Sequence, residues 1–266
     1  MTAKTDKKNT PNESVHAPQI TRFIIVHGDK GGVGKSFVAQ AIANDLSANS
    51  NSVAVIDADT QNPDVSRMFQ NSMPCALANI RNENGWMDVM DFVAKHPGYT
   101  FVMNTPAGIG EYMKHELIQF YNFLKAQEMP VEMELWWVMN ANHDSVNLFS
   151  KAHELYGPHF SKVRVVCNLH FTNGERDGFL LWNESPLRIK IEKTHGPTIY
   201  FPGLHIRVVS KIIDPSKVMP FSHAVDASAG EEVDLAPAER WKLQAWLQTI
   251  NDLFKPAFVQ HAAVAP

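Results

Sequence analysis

The chain has 266 residues, with 24 lysines and arginines against 28 aspartates and glutamates, and a formal net charge of −4 at pH 7. This length allows one sizeable hydrophobic core, and the acidic balance argues against a protein that coats nucleic acid through bulk positive charge. The two cysteines, Cys75 and Cys167, have neither CxxC nor metal-ligand spacing, which indicates ordinary thiols in a reducing compartment.

The ends of the chain differ in composition from its middle. Residues 1–19 are rich in lysine, threonine, asparagine and proline, and are predicted to form a flexible tail. Residues 20–255 are predicted to form one domain, because no linker divides them, and residues 256–266 a second flexible tail. No apolar run approaches the roughly 18 residues of a membrane-spanning helix and no signal peptide is visible, which predicts a cytoplasmic protein.

Apolar runs alternate with helical patterns along the predicted domain. Strands are predicted at residues 23–26, 52–57, 99–103, 134–139, 163–168 and 205–209. Helices are predicted at residues 37–46, 86–95, 112–127, 145–156 and 237–254. This alternation predicts an α/β fold, a mainly parallel β-sheet with helices on both faces.

A glycine-rich segment, HGDKGGVGKS at residues 27–36, joins the first predicted strand to the first predicted helix. Glycines in such a turn let backbone N–H groups converge on phosphate oxygens, and the positive end of the helix adds to the attraction. Lys35 is expected to reach the β- and γ-phosphates, and the Ser36 hydroxyl to bind Mg²⁺. The predicted nucleotide contacts in this segment are Gly31, Gly32, Val33, Gly34, Lys35, Ser36 and Phe37.

This loop departs from the general GxxxxGK[ST] pattern at two positions. It has a second lysine, Lys30, and Asp29 stands where the pattern has its first glycine. The KGGxGK[ST] form beginning at Lys30 resembles the deviant Walker A motif of ParA/MinD-type P-loop ATPases. That resemblance implies a catalytic Lys30 that crosses a dimer interface and contacts the phosphates of the partner's nucleotide. The alternative is a glycine- and lysine-rich surface turn that binds nothing.

Two carboxylates, Asp57 and Asp59, follow the second predicted strand in the segment VAVIDADTQNPD. Ligands bind beyond the carboxyl ends of strands in open α/β sheets, so this is a sensible place for metal and water chemistry. The segment resembles the family's Walker A′ region. This implies that Asp59 orients the attacking water and that Asp57 supports the magnesium shell. Aspartates that form a turn or cap a helix are the alternative.

The segment at residues 99–110 resembles the family's Walker B region, except that Asn104 stands where the family has an acid. An amide can hydrogen-bond a magnesium-bound water but brings no negative charge, and Asn104 stays a candidate member of the metal site. Either Asp57 and Asp59 carry the metal shell, or hydrolysis is weak and the protein works mainly as a nucleotide-binding switch. A simple turn after a strand remains the alternative.

Three further positions complete the predicted site. Gly108 could place its N–H near the γ-phosphate. By the family resemblance, Asn168 at the end of a predicted strand supplies its amide to the adenine edge, and Pro202 lies in the other wall of the base pocket. An asparagine at a strand end is also a common turn former.

Two surface features bear on partners. Arg188, Lys190 and Lys193 nearly alternate, which fits either a small strip that contacts DNA phosphates or a solvated strand edge. The last predicted helix carries an apolar stripe with few basic residues, which favours packing on the domain over binding a membrane.

The resemblance implies ATP and Mg²⁺ as cofactors, ATP hydrolysis, and a homodimer that forms when ATP is bound; the departure at Asn104 predicts that hydrolysis is slow. A stimulating partner protein is implied, DNA is left open as a partner, and a membrane is disfavoured. The motifs look most like those of ParA-type proteins of plasmids and conjugative elements, including TraL-like proteins, which implies DNA partition, positioning or conjugative transfer. A metabolic or maturation enzyme with a second substrate and an ATP-binding regulator with little hydrolysis are the alternatives.

Overall fold

A computed structural model describes residues 20–49, 52–226 and 234–258. The predicted tail at residues 1–19 lies outside the described residues, as do residues 259–266 of the second predicted tail. Pro256, Ala257 and Phe258 belong to the last helix, and Ala257 is buried. The folded domain therefore extends three residues past the predicted boundary at 255.

The described strands form a single sheet of seven parallel strands. They are β1 Thr21–His27, β2 Val53–Asp57, β3 Cys75–Leu77, β4 Thr100–Asn104, β5 Val131–Met139, β6 Lys162–Asn168 and β7 Ile199–Phe201. Their spatial order is β3-β2-β4-β1-β5-β6-β7. The parallel sheet predicted from the sequence is confirmed.

The described helices lie between and after these strands. They are α1 Lys35–Asn49, α2 Asp64–Phe69, α3 Glu83–Ala94, α4 Gly110–Ala126, α5 Asp144–Tyr156, α6 Leu180–Asn183, α7 Pro186–His195, α8 Ile206–Ile212, α9 Phe221–Asp226 and α10 Pro237–Phe258. None of them is long and apolar enough to cross a membrane.

Helices cover both faces of the sheet. Successive residues of a strand point to opposite faces, and β1 follows this rule. Phe23 and Ile25 pack in a core with α3, α4 and α5, whereas Ile24 and Val26 pack in a second core with α1, α8, α9 and α10. Because both faces are covered, a ligand site is expected at the ends of the strands, where the connecting loops lie.

The strand predicted at residues 205–209 is wrong. The structure has helix α8 there, and the last strand lies earlier at β7. His205 caps this helix by accepting a hydrogen bond from the Arg207 backbone N–H, and the buried side chains of Val208 and Ile212 are one turn apart. The helical spacing of the buried residues overrides the strand preference of β-branched residues.

The basic residues considered as a DNA-contacting strip or a strand edge lie on helix α7: Arg188, Lys190 and Lys193. Ser185 caps this helix by accepting a hydrogen bond from the Leu187 backbone N–H, and Pro186 occupies the first helical position. Arg188 pairs with Glu192 one turn further on, with its Nε 3.0 Å from the Glu192 Oε1. These residues therefore do not form the strand edge that was considered.

A buried ion-pair group joins three neighbouring strands to the end of the last helix. The Glu134 carboxylate on β5 is fully buried and accepts hydrogen bonds from Arg22 on β1, Arg164 on β6 and the Trp136 indole. Both arginines also donate to the carbonyl of Ala257, at 3.1 and 3.2 Å. This group fixes the end of α10 against the sheet.

Candidate nucleotide-binding site

A cleft of about 490 Å³ opens at the carboxyl edge of the sheet, beside β1, β2 and β4. The glycine-rich loop between β1 and α1 forms its floor, and the loops after β2 and β4 contribute walls. The predicted nucleotide-site residues that line it are Gly31, Gly32, Gly34, Lys35, Ser36, Phe37 and Asp59. This is the edge at which parallel α/β sheets bind ligands.

The shape of the loop requires glycine at two positions. Gly32 has φ of +73° and Gly34 has φ of +95°, both in the left-handed region. A Cβ on Gly34 would lie 2.3 Å from Asn168 Nδ2, whereas one on Gly32 would meet nothing within 4 Å. Gly34 therefore also permits a close approach between the loop and the end of β6.

The Lys35 side chain is held within the glycine-rich loop, where phosphate groups are predicted to bind. Its Nζ donates to the carbonyl of Lys30 at 2.9 Å, and the residue is only 7% exposed. Burial lowers the pKa of Lys35, while the charges of Asp59 and Asp29 raise it. An anion in the cleft would act in the same direction as these carboxylates and favour the ammonium form.

Lys30 lies outside the lining of the cleft. Its Nζ is 2.8 Å from Asp144 Oδ2 at the start of α5, and 30% of its side chain is exposed. The hydrogen bond and the charge of Lys30 hold the pKa of Asp144 below its usual range. The second lysine of the loop is thus paired at the surface beside the cleft.

Asp57 is buried and directed at the backbone of α2. Its Oδ2 accepts from the backbone N–H groups of Val65 and Ser66 at 2.9 and 3.0 Å, and its Oδ1 from that of Asp59 at 3.3 Å. Burial raises the pKa of Asp57, and these hydrogen bonds lower it. Asp57 therefore fixes the loop that carries Asp59; its place in a magnesium shell stays a prediction.

Asn104 connects the magnesium-site candidates. Its register partner in the sheet is Asp57, and its Nδ2 donates to Asp57 Oδ1 at 3.0 Å and to Ser36 Oγ at 3.4 Å. The amide N must face the carboxylate, because an amide oxygen would be repelled there. Asn104 thus presents donors, not an oxygen ligand, to these two neighbours, and its role at the metal stays a prediction.

Replacing Asn104 by aspartate is expected to make the nucleotide-free protein less stable at neutral pH, by about 1–3 kcal/mol, because two buried carboxylates would then face each other. Burial already raises the pKa of Asp57 above its unfolded value. The folded variant therefore binds a proton more readily than the unfolded chain, and the lost stability should return as the pH falls. Denaturant midpoints between pH values of about 5 and 8 measure this.

The control for this prediction is Asn104→Ala, which removes the hydrogen bond to Asp57 and adds no charge. We expect the alanine variant to show a flatter dependence of stability on pH than Asn104→Asp. Equal pH profiles for the two variants would contradict the proximity of the two carboxylates.

The loop after β4 is tied to the base of the glycine-rich loop. The Gly108 N–H, expected near the γ-phosphate, donates to the Asp29 carbonyl at 3.1 Å in this structure. The Thr105 hydroxyl donates to the Val26 carbonyl, so the His27 Nδ1–H donates to Thr105 Oγ1 at 2.7 Å. Burial, with the charge of Lys35, lowers the pKa of His27 to about 3, so this ring is neutral.

The two predicted adenine contacts are engaged with protein atoms, and one of them, Asn168, contacts the glycine-rich loop. Asn168 donates from Nδ2 to the Val33 carbonyl at 3.0 Å and accepts at Oδ1 from the His170 backbone N–H at 3.1 Å. The Pro202 carbonyl accepts from the Trp246 indole at 3.0 Å, and both residues line a neighbouring cleft of about 660 Å³. Their contacts with a base stay predictions.

The oxygen atoms at the cleft suit a magnesium ion that takes most of its ligands from phosphates and water. Ser36 and Asp59 both line the cleft, and these are oxygen donors of the type that Mg²⁺ prefers. Within the described ranges, no group of three or more His, Cys, Asp or Glu side chains is placed to hold a metal by itself. Ser36 is thus a residue that fits the ion, and the Asp59 carboxylate lies in the same cleft.

Comparisons with known proteins show the family of this chain. A family model described as "ParA: NUBPL iron-transfer P-loop NTPase" matches residues 19–96. Protein MobD of Acidithiobacillus ferrooxidans is 32% identical over 226 residues, which cover 83% of this chain and 93% of MobD. The chain belongs to the ParA/MinD-type P-loop NTPases.

Two other similarities of this P-loop NTPase are more limited. The iron-sulfur cluster carrier protein of Rickettsia bellii (strain RML369-C) is 33% identical over 67 residues, covering 25% of this chain and 21% of that protein. The solved structure of the MinD cell division protein of Aquifex aeolicus is 14% identical, with a TM-score of 0.48, covering 88% of this chain and 97% of MinD.

One residue of the NTPase cleft was not singled out from the sequence. Arg81 lies between β3 and α3, lines the cleft, and donates from Nη2 to the Ala107 carbonyl at 2.6 Å. Strand β3 is only three residues long and was not predicted, so Arg81 was not expected at the carboxyl edge of the sheet. The signal that could have found it is an arginine just after a short apolar run.

Proposed function

We propose that this protein binds Mg²⁺–ATP in the cleft, hydrolyses it slowly, and uses the bound nucleotide to control its homodimerisation. The observation that carries the proposal is the convergence of Lys35, Ser36 and Asp59 on one cleft, with Lys30 at the surface beside it. Family membership supports nucleotide binding, and the lysine outside its own cleft supports an action on the nucleotide of a second copy.

The residues of the cleft divide the work of hydrolysis. Backbone N–H groups of the loop and the Lys35 ammonium would bind the phosphates, and the Ser36 hydroxyl would hold a magnesium ion, which would neutralise phosphate charge. Asp59 orients a water molecule that attacks the γ-phosphorus as the bond to the ADP oxygen breaks. Asn104 brings no charge to this site, which supports a slow rate.

The proposed cellular role is in mobilisation or positioning of a mobile element's DNA, through a partner protein that stimulates turnover. Similarity to a protein named MobD over most of both chains supports this role. The basic residues of α7 are a candidate contact for DNA phosphates, with Arg188 already paired to Glu192.

The thiols do not support the alternative of an iron-sulfur carrier. Cys75 lies on β3 at one edge of the sheet and Cys167 on β6 near the other. Burial is the main cause that raises the pKa of Cys75 to about 12, and it raises that of Cys167 as well. Cluster ligation requires thiolates, which this burial opposes.

Lys30→Ala is expected to abolish triphosphate-dependent dimerisation at micromolar protein, or to weaken it about 10- to 100-fold, because a charge-assisted contact to phosphate would be lost. Light scattering with Mg²⁺ and a slowly hydrolysed ATP analogue, against Mg²⁺–ADP, measures the solution mass. We expect a wild-type dimer only with the triphosphate, and no nucleotide binding by Lys35→Ala.

Asp144→Asn is the matched variant for Lys30, since it releases the lysine from its ion pair without altering the glycine-rich loop. We expect this variant to dimerise with the triphosphate at least as well as the wild type. A wild-type mass that is the same with both nucleotides, or a Lys30→Ala variant that dimerises normally, would count against the proposed switch.

A further inference from the structure

Arg81 has a rigid support. Ile80 is fully buried, and the Arg81 backbone N–H donates to Asn79 Oδ1 at 3.2 Å. Asn82 caps α3 by accepting from the Gly85 backbone N–H at 3.0 Å. These neighbours fix the backbone on both sides of Arg81, while its own side chain is exposed. A charged group on such a support is preorganised for a ligand.

The guanidinium of Arg81 reaches across the cleft to the loop that joins β4 to α4. Nη2 donates to the Ala107 carbonyl at 2.6 Å, and Nη1 lies 3.4 Å from the Gly108 carbonyl. Ala107 is partly exposed and Gly108 is exposed, so water could satisfy these carbonyls. The need to pair buried polar atoms therefore does not explain the arginine.

The charged residues around the cleft would allow an anion to bind beside Arg81. In the described part of the chain, three charged side chains line the cleft: Lys35, Asp59 and Arg81. Among the residues that the structure describes, no carboxylate forms an ion pair with Arg81. Arg81 and Asp59 also share a smaller recess of about 70 Å³. Arg81 and the carboxylate proposed to orient the attacking water therefore border the same recess.

We propose that Arg81 binds the terminal phosphoryl group of the nucleotide and transmits its presence to the loop at Ala107 and Gly108. This inference rests on the proposed nucleotide-binding function and deepens it. A guanidinium carries five N–H donors in a planar fork, so it can keep one carbonyl and bind a phosphoryl oxygen at once. A diphosphate lacks the terminal group and leaves Arg81 on the carbonyls alone.

The loop gives this contact a route to the rest of the molecule. Its Gly108 N–H donates to the Asp29 carbonyl of the glycine-rich loop, and α4 begins two residues later at Gly110. A phosphoryl oxygen that draws Arg81 toward Lys35 would alter the hydrogen bonds at both carbonyls. The surface formed by the start of α4 would then differ between the triphosphate-bound and diphosphate-bound states.

The test compares affinities of the full chain for Mg²⁺–ADP and for Mg²⁺ with a slowly hydrolysed ATP analogue, by titration calorimetry. Arg81→Ala is expected to weaken triphosphate binding about 10- to 100-fold and to change diphosphate binding by no more than about twofold. Arg81→Lys keeps the charge without the fork, and should fall between Arg81→Ala and the wild type. The control is Arg67→Ala, which removes a partly exposed arginine paired with Asp64 outside the cleft.

The ratio of the two affinities decides the inference. A purely structural role of Arg81 would weaken the binding of both nucleotides equally. That result, which leaves the ratio of the two affinities unchanged, would overturn the inference. If Arg81→Ala does not fold, the ratio for Arg81→Lys decides in the same way. Failure of the proposed function looks different, since the wild type would then bind neither nucleotide. If the wild type binds both and Lys35→Ala binds neither, only the Arg81 assignment remains at stake.

Discussion

Glu134→Ala is expected to lower the free energy of unfolding by about 3–5 kcal/mol, because it leaves two buried arginines without their carboxylate. Glu134 is fully buried, and the side chains of Arg22 and Arg164 are 11% and 6% exposed. The Trp136 indole loses its acceptor as well. Denaturant unfolding measures the change in midpoint.

Two comparisons make this prediction specific. Arg67→Ala breaks an exposed pair with Asp64 and should cost at most about 1 kcal/mol. Replacing Arg22, Glu134 and Arg164 together by methionine, leucine and methionine should be less destabilising than Glu134→Ala, since no buried charge is left unpaired. If Glu134→Ala were as stable as Arg67→Ala, the buried ion-pair group would not hold the sheet to the last helix.

Gly34→Ala is expected to destabilise the protein by about 2–4 kcal/mol and to abolish nucleotide binding, because it combines backbone strain with a collision. Gly34 has φ of +95°, which a residue with a Cβ rarely adopts. The new Cβ would lie 2.3 Å from Asn168 Nδ2 and would displace the amide from the Val33 carbonyl. Denaturant unfolding and calorimetric titration with nucleotide measure the two effects.

Gly32→Ala separates the two causes. Its φ is also in the left-handed region, at +73°, but a Cβ there meets nothing within 4 Å. This variant should therefore lose only about 1 kcal/mol, the cost of the backbone conformation alone. Equal losses for the two variants would mean that the contact between Asn168 and the loop contributes nothing to stability.

The parts of the site that the sequence predicted are local in the chain. The apolar strand, the glycine-rich turn and the helix that begins at Lys35 are contiguous, and their geometry depends on neighbours in sequence. The contact between Asp57 and Asn104, in contrast, joins residues that are distant in sequence. These two residues are 47 positions apart and meet because β2 and β4 are adjacent in register, which no sequence pattern shows.

The same reasoning explains what was missed in the walls of the cleft. Arg81 follows a strand of three residues, too short to give an alternating pattern, and reaches Ala107 only across the sheet edge. The segment predicted as a strand at residues 205–209 is a helix because its buried side chains pack at helical spacing on the second core. Both cases depend on what lies opposite each segment.

The α/β class, the parallel sheet and the glycine-rich loop followed from the sequence, because hydrophobic periodicity and glycine conformations act over a few residues. The tertiary structure alone decided the pairing of Lys30 with Asp144, the protein contacts of Asp57 and Asn168, and the presence of Arg81 in the cleft. Those features depend on the order β3-β2-β4-β1-β5-β6-β7, which brings distant loops to one edge. Hydrogen bonds form between groups that are close in space, and only the folded sheet sets those distances.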